Sequence, residues 1–332
     1  MGLATAWQAA RQGRQVLVLE QHFVGHDKGS SHGGGRIFRF AYRDQSYVAM
    51  ALRARELWHE LEDLSGTSLL TVTGGIDHGD STVLAEVEQA LLTSGLGCHR
   101  LTPREASEHW PGMRVDQAAV FQPDAGVLHA DRAVAALHAL LLEAGGEYRS
   151  GARVDSVREL DPGAAAIVDG DELPARVVVV AAGAWAGPLL GDLLQVRVTQ
   201  EQPAFFPTDL DLPVFIHHHS GTTPQLGPAH YGLPIPGQGL KVGAHGTGPI
   251  VDPSRRPAVD ASAVARLSAY VAEWLPGVSA EPSAVDSCLY TSTPDEAFVL
   301  ERHGSIVVCS PCSGHGFKFV PAIGEITARL AG

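Results

Sequence analysis

Four cysteines, a run of three histidines and a few cations set among apolar neighbours are the residues of this sequence best able to do chemistry. Cys288 stands in Cys288-Leu-Tyr290-Thr, Cys309 and Cys312 have C-x-x-C spacing, and His217-His-His219 is contiguous. A thiol reacts as the thiolate, so a working cysteine needs electropositive neighbours that a sequence does not display. A single cysteine is more commonly a small buried apolar residue. Cys309 and Cys312 fall where a strand meets a glycine turn, which favours a structural role over a redox or metal one. Adjacent strand residues point to opposite faces, so of the three histidines only His217 and His219 share one, and no acid or cysteine stands beside them; no metal site is expected. No G-x-S-x-G elbow supports a serine nucleophile. The cations say more. Arg36 and Arg39 lie in Arg36-Ile-Phe-Arg39-Phe, where alternating apolar residues argue against a solvated face. A guanidinium offers two parallel donors, and a buried carboxylate needs such partners. Lys318 follows Gly314-His-Gly-Phe, a turn whose N–H groups can approach an electron-rich ligand closely. Lys241, between Leu240 and Val242, points away from both in a strand.

These residues need elements to hold them. Gly2 to Gln12 places Leu3, Ala6, Trp7 and Ala10 on one helical face, and Gly13 stops the helix. Gln15 to Glu20 is a short apolar run ending in an acid, a buried strand. Helix and strand together read as part of a dinucleotide-binding unit, with Glu20 at the spacing of the acid that binds a ribose hydroxyl. Only the third glycine of the expected G-x-G-x-x-G, Gly2, is present. We therefore expect the first strand to be missing, through a start codon assigned too late or, less favoured, a truncated product. Further helices are predicted over 47–64 (Val48, Leu52, Leu57, Leu61 and Leu64 inward), 81–94, from Thr102-Pro, 130–145 and 261–275. Strands are predicted over 71–77 (with a turn), 154–160, 165–168, 177–182 and 305–309, and a last helix opens at Gly314. The segment 200–245, rich in proline and glycine, reads as an antiparallel sheet outside the nucleotide domain.

Cys288-Leu-Tyr290-Thr with Ser313-Gly-His-Gly-Phe-Lys318 downstream resembles the monomeric sarcosine oxidase and N-methyltryptophan oxidase family of the D-amino acid oxidase superfamily. Gly29 to Tyr42, Tyr231-Gly and Gly239-Leu-Lys-Val-Gly-Ala-His245 extend the resemblance over nearly the whole chain. It implies an α/β (overall α+β) fold. A discontinuous Rossmann-like FAD-binding domain over 1–65, 130–200 and 286–332 is joined to a catalytic domain with a mixed or antiparallel sheet over 66–129 and 201–285. It implies covalent FAD through a thioether on Cys288. Gly2, Glu20, Ser31, Arg36, Val154, Gly314, His315, Gly316, Phe317 and Lys318 complete the implied cofactor set. Arg39 and Lys318 are implied to bind the substrate carboxylate, Tyr231 and His245 to line the cavity, and Lys241 to promote reaction of reduced flavin with dioxygen. A positive charge there would stabilise developing superoxide. Arg36 is the implied flavin-facing arginine. The family continues beyond the point corresponding to Gly332, so truncation there is expected too.

Composition limits the alternatives. The 332 residues are 45% apolar and 18% charged, which excludes a disordered or collagen-like chain. A net charge of −13 is a poor match for nucleic acid or an anionic membrane. The most apolar stretch, 177–190, is too short to span a bilayer and holds Pro188. No secretory signal is seen, and four cysteines make no disulfide framework, so a reducing cytoplasm is expected; the expected partners are a small amino acid amine and dioxygen, with the protein a monomer. The activity implied by the resemblance is oxidation of a secondary amine of an amino acid to the imine, with dioxygen reduced to hydrogen peroxide. Other readings are an oxidase for a cyclic imino acid or a glycated amino acid, a non-catalytic remnant, and a nicotinamide dehydrogenase. The last has no use for C-x-Y-T or SGHGFK.

Overall fold

The computed structural model describes residues 1–221 and 227–332. One core is built where the two ends of the chain meet. The helix Gly2–Ala10 buries Ala4, Ala6, Trp7 and Ala10 against the helix Val320–Leu330, and the helices Gln45–Ser65, Ser81–Thr93 and Ala130–Glu143 add to the same cluster. The approach is close enough that a Cβ on Gly324 would lie 2.7 Å from the Ala4 carbonyl carbon, so only glycine fits there. Nearby strands form two separate parallel pairs. Leu17–Glu20 pairs with Glu147–Ser150, and Val178–Val180 pairs with Ile306–Ser310, which is extended antiparallel by Val299–His303. Among the described residues no strand bridges the two pairs.

The second core lies under an eight-stranded sheet. Its order is Ala284–Val285, Ala204–Phe206, Gly239–Ala244, Ala229–Ile235, Val214–His218, Gly75–Gly79, Ala119–Gln122 and His99–Leu101. The Val214–His218 and Gly75–Gly79 strands run parallel and their other neighbours antiparallel, so the sheet is mixed. Its reverse face packs Phe206, Phe215, Leu240 and Val242 against Leu267, Tyr270 and Val271 of the helix Ala261–Trp274. A small sheet of Arg36–Phe38, Gly126–Leu128 and Leu70–Val72 joins the two bodies.

Several boundaries differ from expectation for local reasons. The helix expected from Tyr47 starts at Gln45 because Asp44 caps it, accepting from Ser46 N at 2.8 Å. It turns Leu64 to solvent, 53% exposed, and buries Ala51, Ala54 and Trp58 instead. The helix expected over 81–94 ends at Thr93 and is capped by Asp80, which accepts from the N–H groups of Thr82 and Val83. Thr102 and Glu105 form a reciprocal capping box ahead of Pro103–His109. The single strand expected over 71–77 is two, Leu70–Val72 and Gly75–Gly79, in different sheets, because Gly74 adopts φ 71° between them. Gly314 opens a turn; helix begins only with the 3-10 segment Phe317–Phe319. All four cysteines are free. No helix among the described residues is long and apolar enough to cross a membrane.

Candidate active site

Strand pairing decides which side chains share the front face of the large sheet. Side chains alternate along a strand, and directly paired residues point the same way. Gly79, His218, Ala229 and His245 therefore form one row across four strands. Asp77, Ile216, Tyr231 and Gly243 form the next. Lys241 follows on the same face, paired with Leu233 and Phe205. Gly243 is needed where it stands, since a Cβ there would come within 2.5 Å of the Tyr231 hydroxyl.

Above this face Arg39 and Lys318 converge on Tyr42. The Lys318 ammonium donates to the Tyr42 hydroxyl at 2.8 Å and to the His315 carbonyl at 2.7 Å, while the Arg39 guanidinium lies 4.9 Å from the Tyr42 ring centre. Trp58 fixes the backbone of this turn by donating to the Lys318 carbonyl at 2.8 Å. Burial, with the neighbouring Arg39 charge, pushes Lys318 well below the ordinary lysine range. Burial holds His245 down to about 4 and His315 down to about 3, the Arg39 and Lys318 charges adding to both, so both rings are neutral at neutral pH. Arg39 donates from Nη1 to Asp77 Oδ1 at 3.1 Å and to the Ala41 carbonyl. Lys318, held by a hydroxyl and a carbonyl, and Arg39, paired on one side with Asp77, bring two cations together beside neutral rings, an arrangement suited to an anion.

A second charged group surrounds Lys241. Its ammonium donates to Asp286 Oδ2 at 2.9 Å and lies 5.2 Å from the Phe205 ring centre. Burial and the Arg36 charge lower this lysine, and Asp286 opposes them. Burial raises the Asp286 carboxyl, yet the Lys241 ammonium more than offsets this and holds it below the usual carboxylate range. Arg36 is tied down by the glycine loop, donating to the carbonyls of Ser30, His32 and Gly35 at 2.7 to 2.8 Å. Cys288 is buried opposite Glu201, and burial raises its thiol while Arg36 and Lys241 act the other way. The electropositive neighbours that the sequence left unseen are these two cations.

The residues fit a large polar prosthetic group. Ser310, Ser313 and Thr291 carry buried hydroxyls without a hydrogen-bond partner, as does Nε2 of His32. Buried polar atoms are rarely left so, and three of these stand at the carboxyl end of the parallel strand Ile306–Ser310 or beside it, where doubly wound sheets bind ligands. Gly314, at φ 79°, continues that edge; a Cβ there would overlap the Tyr290 ring and come within 2.8 Å of His245. Phe317 lies 5.8 Å beneath the Arg36 guanidinium.

Thus Arg36, Arg39, Tyr231, Lys241, His245, Cys288, Gly314, His315, Gly316, Phe317 and Lys318 frame the region between sheet and turn. Four other expected positions lie outside it. Gly2 heads the first helix with room for a Cβ 3.6 Å from that of Ala181, and Glu20 accepts from His22 N at 3.0 Å. Val154 begins the meander Val154–Glu159, Ala164–Val168 and Asp171–Ala175. Ser31 faces solvent, and its neighbour Ser30 anchors the loop by donating to the Leu289 carbonyl at 2.5 Å. Cys309 and Cys312 have separate partners: the Thr327 hydroxyl donates to one at 3.5 Å and Thr291 N to the other at 3.3 Å. Sequence reasoning missed Tyr42, Asp77, Gln122, His218, Tyr290 and Asp286. A lone acid in the strand Gly-Gly-Ile-Asp77-His was the available signal for Asp77. The sequence shows no acid near the three histidines, yet the fold brings Asp77 to His218 Nε2 at 2.8 Å.

Comparison with known proteins places the chain in a family. The chain is 31% identical to monomeric sarcosine oxidase of Bacillus sp. strain B-0618, covering all of this chain and 89% of that protein. It is 32% identical to human peroxisomal sarcosine oxidase over 99% of this chain and 89% of the relative. Among solved structures, the amino acid oxidase NikD superposes with a TM-score of 0.87 at 28% identity, covering 99% of this chain and 90% of NikD. Residues 1–330 match the FAD dependent oxidoreductase family, and the chain belongs to it.

Proposed function

We propose that this protein oxidises the secondary amine of a sarcosine-like N-methyl amino acid to the imine, with dioxygen reduced to hydrogen peroxide. The observation that carries the reading is the convergence of Arg39 and Lys318 on half-buried Tyr42, one over its ring and the other on its hydroxyl, beside a face bearing Tyr231, His245 and Lys241. FAD, when bound, supplies the two-electron acceptor and the route to dioxygen. The chain's residues supply the rest. Arg39 and Lys318 take the substrate carboxylate, whose arrival favours the charged form that burial otherwise opposes at Lys318. Neutral His245 and Tyr231 line the cavity without competing for the anion. Lys241 holds positive charge where dioxygen gains electrons, and Asp286 steadies it. Arg36, Gly314, His315, Gly316 and Phe317 would hold the cofactor's ring system, with Glu20, Gly2, Ser31 and Val154 along its nucleotide half. Cys288 is the proposed thioether attachment; burial raises its thiol on balance, and Arg36 and Lys241 act in the direction of the thiolate. A monomer working in the cytoplasm, divided into the two domains expected from the sequence, completes the reading.

The test is a peroxide assay over a panel of N-alkyl amino acids, cyclic imino acids and glycated amino acids, with flavin checked after acid precipitation. We expect peroxide from an N-methyl amino acid and colour retained in the pellet. A flavin-loaded protein that no N-methyl amino acid reduces under anaerobic conditions would overturn the substrate assignment. Flavin released from wild-type protein by acid would overturn the attachment.

A further inference from the structure

We propose that Asp77 and His218 form a dyad that accepts the proton of the substrate ammonium group, a task separate from holding the carboxylate. The inference rests on the reading of the substrate as a secondary amino acid. An amine gives up electrons from its neighbouring C–H only with its nitrogen lone pair free, whereas an aliphatic ammonium titrates at about pH 10. A base beside the substrate nitrogen resolves that conflict near neutral pH.

His218 ends the strand Val214–His218, with Gly79 beside it on one strand and Ala229 on the other. Ala229 pairs in turn with His245, so two imidazoles flank one methyl group on the front face. Asp77, its side chain 2% exposed, lies against both His218 and Arg39. His218 Nε2 is 2.8 Å and Arg39 Nη1 3.1 Å from Asp77 Oδ1. Gln122 Nε2 donates to the other oxygen at 3.2 Å, its amide oriented by Phe40 N, which donates to Oε1 at 3.0 Å. The carboxylate is thus fixed from three sides. A carboxylate on Nε2 places the ring proton there and leaves Nδ1 as the basic nitrogen.

Arg39 and His218 flank the covered acid, and each keeps 16% of its side chain exposed. They would meet the carboxylate and the ammonium of one α-amino acid, two groups separated by a single carbon. In the step proposed, the ammonium N–H bond breaks, its electron pair stays on nitrogen, and the proton bonds to His218 Nδ1. Asp77 stays ionised and stabilises the imidazolium; the proton leaves to solvent after product departs. His218 is then a catalytic residue and Asp77 a positioning residue. The charged and titratable groups around His218 are Asp77, Asp80, Arg39 and His245, with Lys318 beyond His245 and His78, His217 and His219 behind.

The experiment is anaerobic flavin reduction by a secondary amino acid from pH 6.5 to 10, in wild type, His218→Gln and Asp77→Asn. In His218→Gln we expect reduction slowed on the order of 10²-fold near neutral pH. The deficit should close towards pH 10, where the free amine is abundant. Propionate, which has a carboxylate and no amine, should perturb the visible spectrum of His218→Gln and wild type at equal concentrations. Asp77→Asn should show a deficit that also shrinks as pH rises, and it carries the test should His218→Gln fail to hold flavin. A deficit of constant size across the pH range, or wild-type reduction by His218→Gln at neutral pH, would overturn the dyad. A wild-type protein that no secondary amino acid reduces would overturn the functional reading instead.

Discussion

Lys318 and Lys241 are both buried lysines, yet their partners give them different work. Lys318 rests on a neutral hydroxyl and a carbonyl, so its charge is available to an incoming anion, whereas Lys241 is balanced by Asp286. Removing one side of the clamp leaves part of a carboxylate unpaired in a dry site, at a cost of about 1.5 to 3 kcal/mol. Arg39→Ala and Lys318→Ala should each raise substrate KM by roughly 10- to 100-fold, the range that energy implies. Steady-state kinetics with an N-methyl amino acid checks this, and an unchanged KM would contradict it. Lys241→Met should slow flavin reoxidation by dioxygen on the order of 10²-fold while leaving anaerobic reduction nearly unchanged. Stopped-flow measurement of the two half-reactions separates these. Residues in short motifs were legible in the sequence: Cys288, Lys318, Arg39 and Lys241 each sit in a recognisable string. Asp77 and His218 were not, because they lie 141 positions apart and meet only through the parallel pairing of two strands.

The large sheet carries histidines on both faces. His78, His217, His219 and His230 crowd its reverse side, with His78 stacked 4.3 Å from His217 and His230 stacked 3.9 Å from Tyr270. Burial holds His78 and His230 to about 3 and His217 to about 2, the neighbouring imidazoles adding to each shift. These groups bind protons more readily when unfolded, so they withdraw stability as pH falls below about 6.5. Each contributes about 1.4 kcal/mol per pH unit on that limb. His217→Phe should flatten the fall in Tm between pH 6.5 and 4, and thermal melts across that range test it. The junction of the first and last helices allows a second check. Gly324→Val forces side-chain atoms into Ala4, and overpacking of this kind costs about 1 to 3 kcal/mol, lowering Tm at all pH values. Helices with strong periodicity were legible, including the one from Ala261, whereas the split at Gly74 depends on which sheet each half joins.

At the scale of the molecule, the two ends of the chain share one core while the eight-stranded sheet is assembled from the middle. The fold class was readable because the ends carry the helix, strand and turn of a nucleotide unit. The order of the eight strands was not, since adjacent strands come from positions as distant as Gly75–Gly79 and Val214–His218. The joining of the ends is tight: Arg14 donates to the Ala328 carbonyl at 2.7 Å across 314 positions. During synthesis the opening helix must therefore wait on the ribosome for a partner made more than three hundred residues later. Until that partner emerges, the Ile306–Ser310 strand and the Gly314 turn are absent as well. A nascent chain short of them lacks that side of the site, so the pocket is assembled only after strand, turn and partner helix have all been made.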